Sequence, residues 1–204
     1  MARLTGDFFL QDTVTAAQAL LGRYLVRVDG GETMICRITE TEAYVGAVDK
    51  ACHAYGGRRT RRTETLYAGP GTAYVYLIYG MYSCLNFVTG PEGEASAVLI
   101  RGCVPVYGGD AAARRRFGVT AAEMTAYQRK NFMNGPGKLC KGLSIDRRLN
   151  ALPPENSVLY LAHDLPEYGL ERRSDSLPFH TGKRIGIDYA EEAVDFPWRF
   201  WLDD

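Results

Sequence analysis

The stretch Ala73-Tyr74-Val75-Tyr76-Leu77-Ile78-Tyr79-Gly80-Met81-Tyr82-Ser83-Cys84-Leu85-Asn86 constrains the chain more than any other. Tyr74 and Tyr76 share strand parity inside an apolar, β-branched run, so both rings project from one face of a strand. Tyr79 and Tyr82 flank Gly80-Met81, a pair that predicts the tip of a hairpin. A packed strand leading to an aromatic, apolar tip has the form of a wedge that enters a stack of bases. The same residues also suit plain sheet packing, because tyrosine is a strong strand former that sits half-buried with its hydroxyl in water.

Further strands are expected at 23–28, 33–44, 72–79, 83–88 and 95–103, separated by glycine-bearing turns such as Asp29-Gly30. Asp12 predicts the cap of a helix over Thr13–Leu21, ending at Gly22. Residues 110–131 have alanine-rich helical character with Asp110 as cap. A short helix is expected from Lys138 to Leu143 after the break at Asn134-Gly135-Pro136-Gly137. Short strands near 157–162, 184–188 and 196–202 complete the reading. Between them, residues 45–71 are rich in glycine, arginine and threonine without periodicity, which predicts a long functional loop. Strands joined mostly by short turns, with helices inserted, indicate an α+β fold: a single compact domain, 1–204, on a curved, mainly antiparallel sheet with surrounding helices.

The 204 residues suffice for one substantial core, and 22 glycines fit a turn-rich, β-containing fold. Five cysteines, odd in number and never in a CxxC pair, fit reduced thiols better than a disulfide frame or zinc site. The apolar patch Phe8-Phe9-Leu10 is too short for a signal peptide, and no run reaches the length of a membrane span, so the cytoplasm is the expected location. Net charge is zero, yet Arg58, Arg59, Arg61 and Arg62 cluster in the loop and Arg114-Arg115-Arg116 form a second group. Part of the acidic compensation lies at the far end, in Asp188, Glu191, Glu192, Asp195, Asp203 and Asp204. One face can therefore be basic on a neutral protein, although a charge run is also what a solvated loop looks like.

Candidate chemistry begins on the 33–44 strand, where Glu40, Glu42 and Tyr44 share a face, successive members about 6.5–7 Å apart. Two carboxylates so placed suit the acid and base of a hydrolase or the wet side of a strand. This strand runs directly into the arginine-rich loop, where sites tend to form. His53 in that loop is suited to bonding a base or phosphate, to moving a proton, or to being held by backbone groups. No second histidine or cysteine stands beside it at metal-ligand spacing, so no metal is expected. Arg101 continues the apolar run Ala97-Val98-Leu99-Ile100 and needs a carboxylate partner, for which Glu42 is a candidate. Asn86 has an amide to read a base edge or to bond the backbone.

Taken together, these pieces resemble the alkyladenine (3-methyladenine) DNA glycosylase family. The matching stretches are Arg37-Ile38-Thr39-Glu40-Thr41-Glu42-Ala43-Tyr44, His53 with Gly56-Gly57-Arg58, and Pro70-Gly71-Thr72-Ala73-Tyr74-Val75-Tyr76. They continue with Tyr79-Gly80-Met81-Tyr82, Asn86, Val98-Leu99-Ile100-Arg101, Gly135-Pro136-Gly137-Lys138-Leu139-Cys140 and Arg184-Ile185-Gly186-Ile187, in the family's order from about residue 5 to the end.

The resemblance implies a monofunctional base-excision enzyme, monomeric and without cofactor, acting on double-stranded DNA that contains damaged purines; in a bacterium it would accompany the nucleoid. By family analogy Glu42 would activate the attacking water, with Arg101 and the carbonyl of Ile187 helping to hold it. Tyr44, His53 and Tyr76 would enclose the flipped base. Tyr79 would fill the vacated space with Met81 wedged nearby, and Asn86 would disfavour normal guanine by crowding its exocyclic amine. Arg58, Arg59, Arg61 and Arg62 would face the DNA backbone. Two other readings use part of the same residues: a non-catalytic nucleic-acid-binding module of the same fold, and a carbohydrate hydrolase using Glu40 and Glu42. The first gives a buried acid no purpose; the second gives none to the arginines and the tyrosine hairpin.

Overall fold

The computed structural model describes residues 2–171 and 177–203. The chain begins with β1 (Ala2–Arg3), α1 (Gly6–Phe9), α2 (Thr13–Ala19) and the hairpin of β2 (Tyr24–Asp29) with β3 (Glu32–Tyr44). A long connection leads to β4 (Ala73–Ile78), β5 (Tyr82–Thr89) and β6 (Ser96–Tyr107). Helices α3 (Gly109–Phe117), α4 (Ala126–Lys130) and α5 (Pro136–Gly142) follow, then β7 (Leu159–Asp164), β8 (His180–Gly182) and β9 (Arg199–Trp201). The main sheet runs β1-β7-β2-β3-β6-β5-β4, with β9 between β3 and β8. Every pairing among these strands is antiparallel. The fold is α+β, with a curled, half-barrel sheet.

β3 is the spine of that sheet. Its first half pairs with β2 and Glu40–Glu42 pairs with β9, while β6 lies along its other edge from Ile35 to Tyr44. The β3–β6 register slips around Glu40, opposite Gly102. A bulge of this kind bends the strand and strengthens its twist.

Strand alternation then divides the side chains. Ala43, Val98, Ile100, Leu85, Phe87, Ala73 and Val75 face one way and join the main core. There α2 contributes Ala16 and Ala17, its C-cap contributes Leu20, and α5 contributes Leu139 and Cys140. Burying each of the larger side chains is worth roughly 1.5–3 kcal/mol. The opposite, concave face carries Tyr74, Val88 and Ala97, with Tyr44 and Tyr76 packed beside them. Cys52, Ala54 and Leu66 cover part of this face. They come from the β3–β4 connection, which holds short 3₁₀ turns at Gly46–Val48, Tyr55–Gly57 and Glu64–Tyr67. None of the five cysteines forms a disulfide, and all are buried. Among the described residues, no helix is long and apolar enough to cross a membrane.

Asp12 caps α2 as expected, its carboxylate accepting the Thr15 N–H at 3.0 Å. Four local expectations need correction. The 110–131 stretch is two helices, because Gly118 takes a left-handed φ of 76° and stops α3. Asp110 lies inside the first turn of α3 rather than at its cap, and its carboxylate accepts the Ala121 N–H at 2.8 Å. The 184–188 segment is not a strand: Arg184 is drawn into a buried ion pair and Gly186 is left-handed, so the strand that pairs β9 is His180–Gly182 instead. Helix α5 also starts two residues early, at Pro136, whose fixed φ suits a first helical turn.

Candidate active site

Register alone assembles the floor of a site on the concave face. Glu42 on β3 lies opposite Leu99 on β6, Leu99 opposite Asn86 on β5, and Asn86 opposite Tyr74 on β4. Directly opposed residues on antiparallel strands project from the same face, so four strands line up one row of side chains. Tyr44, Tyr76 and Arg101 stand two residues along their strands from members of that row. Above them opens a cavity of about 530 Å³ lined by Tyr44, His53, Tyr76, Asn86, Arg101 and Ile187, with Tyr79 also at its wall. Such a volume lies in the usual small-ligand range of about 300–1,000 Å³.

The Glu42 side chain is 0% exposed. Its Oε1 accepts the Ile185 N–H at 2.8 Å, and its Oε2 accepts the Tyr44 hydroxyl at 2.8 Å. Arg101 Nη1 stands 3.5 Å from Oε1. Burial pushes the Glu42 carboxyl above its ordinary value, and the Arg101 charge and these two hydrogen bonds oppose the rise. Arg101 also donates from Nε to Glu40 Oε1 at 3.1 Å, and Arg199 reaches the same oxygen at 2.9 Å. Glu40 is thus tied up as the partner of two arginines. Burial, followed by the nearby Glu42 charge, raises Tyr44 well above the usual phenol range, so its hydroxyl stays a donor.

His53 forms the aromatic wall. Its ring is 4.6 Å from that of Tyr76, edge to face, and its Nδ1 lies 3.0 Å from the Tyr74 hydroxyl. Burial, and secondarily Arg62, lower its pKa to about 4, so the imidazole is neutral at neutral pH. Arg62 itself lies over the Tyr76 ring at 5.4 Å. Asn86 is buried and donates to the Tyr74 carbonyl at 3.1 Å. Ile187 is buried against the cavity, and its carbonyl accepts the Ala190 N–H at 2.8 Å, leaving a second lone pair.

At the mouth, Tyr79 is 81% and Met81 70% exposed. Tyr79 and Gly80 both have positive φ, 52° and 69°, the signature of a tight hairpin turn that glycine favours. Gly137 of α5 braces the base of this hairpin: a Cβ there would come within 3.1 Å of the Tyr82 side chain. The four loop arginines part company. Arg59 is paired with Glu64 at 2.6 Å, Arg58 borders a smaller cavity with Thr60 and Thr63, and Arg61 lines a groove with Arg62 and Arg147.

The expected Tyr44, His53, Tyr76, Asn86, Arg101 and Ile187 therefore line one cavity, and Glu42 lies behind its wall, bonded to Tyr44 and Ile185. Sequence reasoning missed the roles of Tyr74, which holds His53, and of Ile185, which acts through its backbone N–H. It also missed Tyr189 at the rim and the Asp49–Arg184 pair behind the site. The strand parity of Tyr74 with Tyr76 was a usable signal; a backbone donor leaves none.

A sealed carboxylate under a flat-walled aromatic cavity defines a site able to deprotonate a water beside a planar ligand. A family model described as methylpurine-DNA glycosylase (MPG) matches residues 7–204. The chain is 50% identical over 203 residues to a protein of Clostridium perfringens (strain 13 / Type A), covering 99% of this chain and 96% of that one. It is 47% identical over 204 residues to one of Desulfitobacterium hafniense (strain Y51), covering 100% and 97%. A Clostridioides difficile (strain 630) protein is 44% identical over 199 residues, covering 97% and 98%. All three carry the name "Putative 3-methyladenine DNA glycosylase". The chain belongs to the methylpurine-DNA glycosylase family.

Proposed function

We propose that this protein is a monofunctional DNA glycosylase that flips alkylated purines, 3-methyladenine and 7-methylguanine foremost, out of duplex DNA and hydrolyses their N-glycosidic bond. The observation that carries this reading is Glu42, fully buried under the aromatic cavity and held by Tyr44, Ile185 and Arg101. A base inside a duplex is out of reach, so it must be extruded at a cost of a few kcal/mol, as is general for glycosylases. Tyr79, on the projecting hairpin, offsets part of that cost by stacking where the base was.

In the cavity, Tyr44, His53 and Tyr76 enclose the base, and Asn86 crowds the position a guanine amine occupies. A neutral imidazole suits a cationic alkylated purine, which an imidazolium would repel; electron-rich rings attract it. Water, held near Arg101 and the Ile187 carbonyl, gives its proton to Glu42 as its oxygen bonds the sugar's anomeric carbon. The electron pair of the broken C–N bond neutralises the positive purine, which leaves as a neutral base with little need for acid assistance. Glu42 then releases its proton to solvent. Among the described residues no lysine lines the cavity, and the reading is hydrolysis without a Schiff base and without strand cleavage. In this reading residues 1–204 work as one domain and one monomer, without a cofactor.

The test is release of free base from methylated duplex DNA by wild type and Glu42→Gln side by side. Wild type should release 3-methyladenine, and Glu42→Gln should be slower by about 10²–10⁴-fold, the usual worth of a general base, while still binding damaged duplex. No release by wild type, with salt-sensitive DNA binding intact, would leave a nucleic-acid-binding module instead.

A further inference from the structure

Behind the cavity lies an ion pair that the reaction does not touch. Arg184 and Asp49, both with side chains 0% exposed, meet in a fork: Nη1 to Oδ2 at 2.5 Å and Nη2 to Oδ1 at 2.8 Å. The same guanidinium donates to the carbonyls of Ala43 at 2.8 Å and Ala193 at 3.2 Å. The same carboxylate accepts the N–H groups of Val45 and Ala51, each at 3.0 Å. Four pieces of chain are thereby tied to one point: the end of β3, the loop that delivers His53, the 184–187 segment and the Glu191–Asp195 turn. The Arg184 guanidinium also lies 4.8 Å from the centre of the Tyr44 ring.

Stability is a poor reason for such a pair. Taking two charges out of water is costly, and apolar replacements of similar volume are often neutral or stabilising. Position is a better reason. Arg184 immediately precedes Ile185, whose N–H bonds Glu42, and the 184–187 segment belongs to no strand. Without a ladder to fix it, its direction depends on this anchor.

We infer that Asp49 and Arg184 are positioning residues for the excision reaction, a buried clamp that aims the Ile185 N–H at Glu42 and fixes the Tyr44 ring beside it. The inference rests on the glycosylase reading above. The groups that face Glu42 are Tyr44 on its own strand, Glu40 two residues away, Arg101 on β6, the Ile185 amide, and Cys84 on β5. Loosening the clamp weakens the Ile185 and Tyr44 hydrogen bonds, both of which favour the charged carboxylate, and leaves Arg101 and Glu40 in place. The acid needed to protonate Glu42 is then weaker, so the acid limb of activity moves to higher pH.

The experiment measures single-turnover base release from methylated duplex across pH, affinity for the same duplex, and folded fraction, for Arg184→Lys and Asp49→Asn. Per folded molecule, release should fall about ten-fold or more, and the acid limb should rise by about one pH unit, as loss of a hydrogen bond to a charged group implies. Duplex affinity should stay near wild type. Folded variants with the wild-type rate and limb overturn the inference, as does a rate loss that merely follows the folded fraction. Should both variants fail to fold, the wild type decides: the Ile185 amide proton must titrate with the midpoint of the acid limb, and an Ile185 signal flat through that midpoint overturns the inference. A wild type that releases no base overturns the functional reading itself, a result distinct from active wild type with unaffected variants.

Discussion

Glu42 and His53 both have their ionisation shifted by burial, and each makes a pH prediction. In the proposed reaction Glu42 must be charged to take a proton from water, and burial raises its pKa above the ordinary 4.5. The acid limb of single-turnover excision should therefore lie above that value and vanish from the residual activity of Glu42→Gln; a limb at or below it would assign the base elsewhere. His53 works the other way. In the unfolded chain it binds a proton near 6.5, in the folded one only near 4. Between those values the unfolded state holds the extra proton, so stability is highest above about pH 6.5 and is lost as pH falls toward 4. Denaturant unfolding across this window should show a loss in wild type that is smaller in His53→Gln. Equal losses would mean that His53 is solvated or charged in the fold.

In the glycosylase reading proposed above, the hairpin of β4 and β5 is the element that turns a cavity into a base-extruding device. Its tip carries two exposed apolar side chains on a turn with two left-handed residues, an expensive arrangement to keep unless the tip meets a partner. Aromatic–base stacking is worth roughly 1–3 kcal/mol, so Tyr79→Ala should slow excision from duplex by about ten- to a hundred-fold and weaken binding of damaged duplex. Folding should be unaffected, because the ring is outside the core. An unchanged rate on duplex substrate would remove the wedge role. The hairpin was legible in the sequence because strand alternation and a glycine turn are local signals. The 184–188 segment was misread for the same reason: Ile185 and Ile187 have strand character, but the segment answers to Asp49, 135 positions away.

Across the whole molecule, charge is balanced in total and uneven in place. Arg59 is already neutralised by Glu64, whereas Arg61 shares its groove with Arg62 and Arg147. If this loop tracks the DNA backbone, Arg61→Ala should reduce the slope of log affinity against log salt by about one, the effect of losing one phosphate contact. Arg59→Ala should change that slope less. Equal slopes for both variants and wild type would move the backbone contacts off this loop.

The sequence by itself determined β2 to β7 and β9, the α2 cap, the two faces of those strands and the residue types of the site, because alternation, turns and caps act over a few positions. It also carried the family resemblance that the match over 7–204 bears out. Tertiary structure alone decided which carboxylate is sealed and which is spent on Arg101 and Arg199. It also decided that a backbone N–H from Ile185 completes the Glu42 site and that Asp49 and Arg184 hold it there. Those outcomes depend on burial and on the meeting of segments more than a hundred residues apart, and desolvation and long-range contacts leave no trace in local sequence.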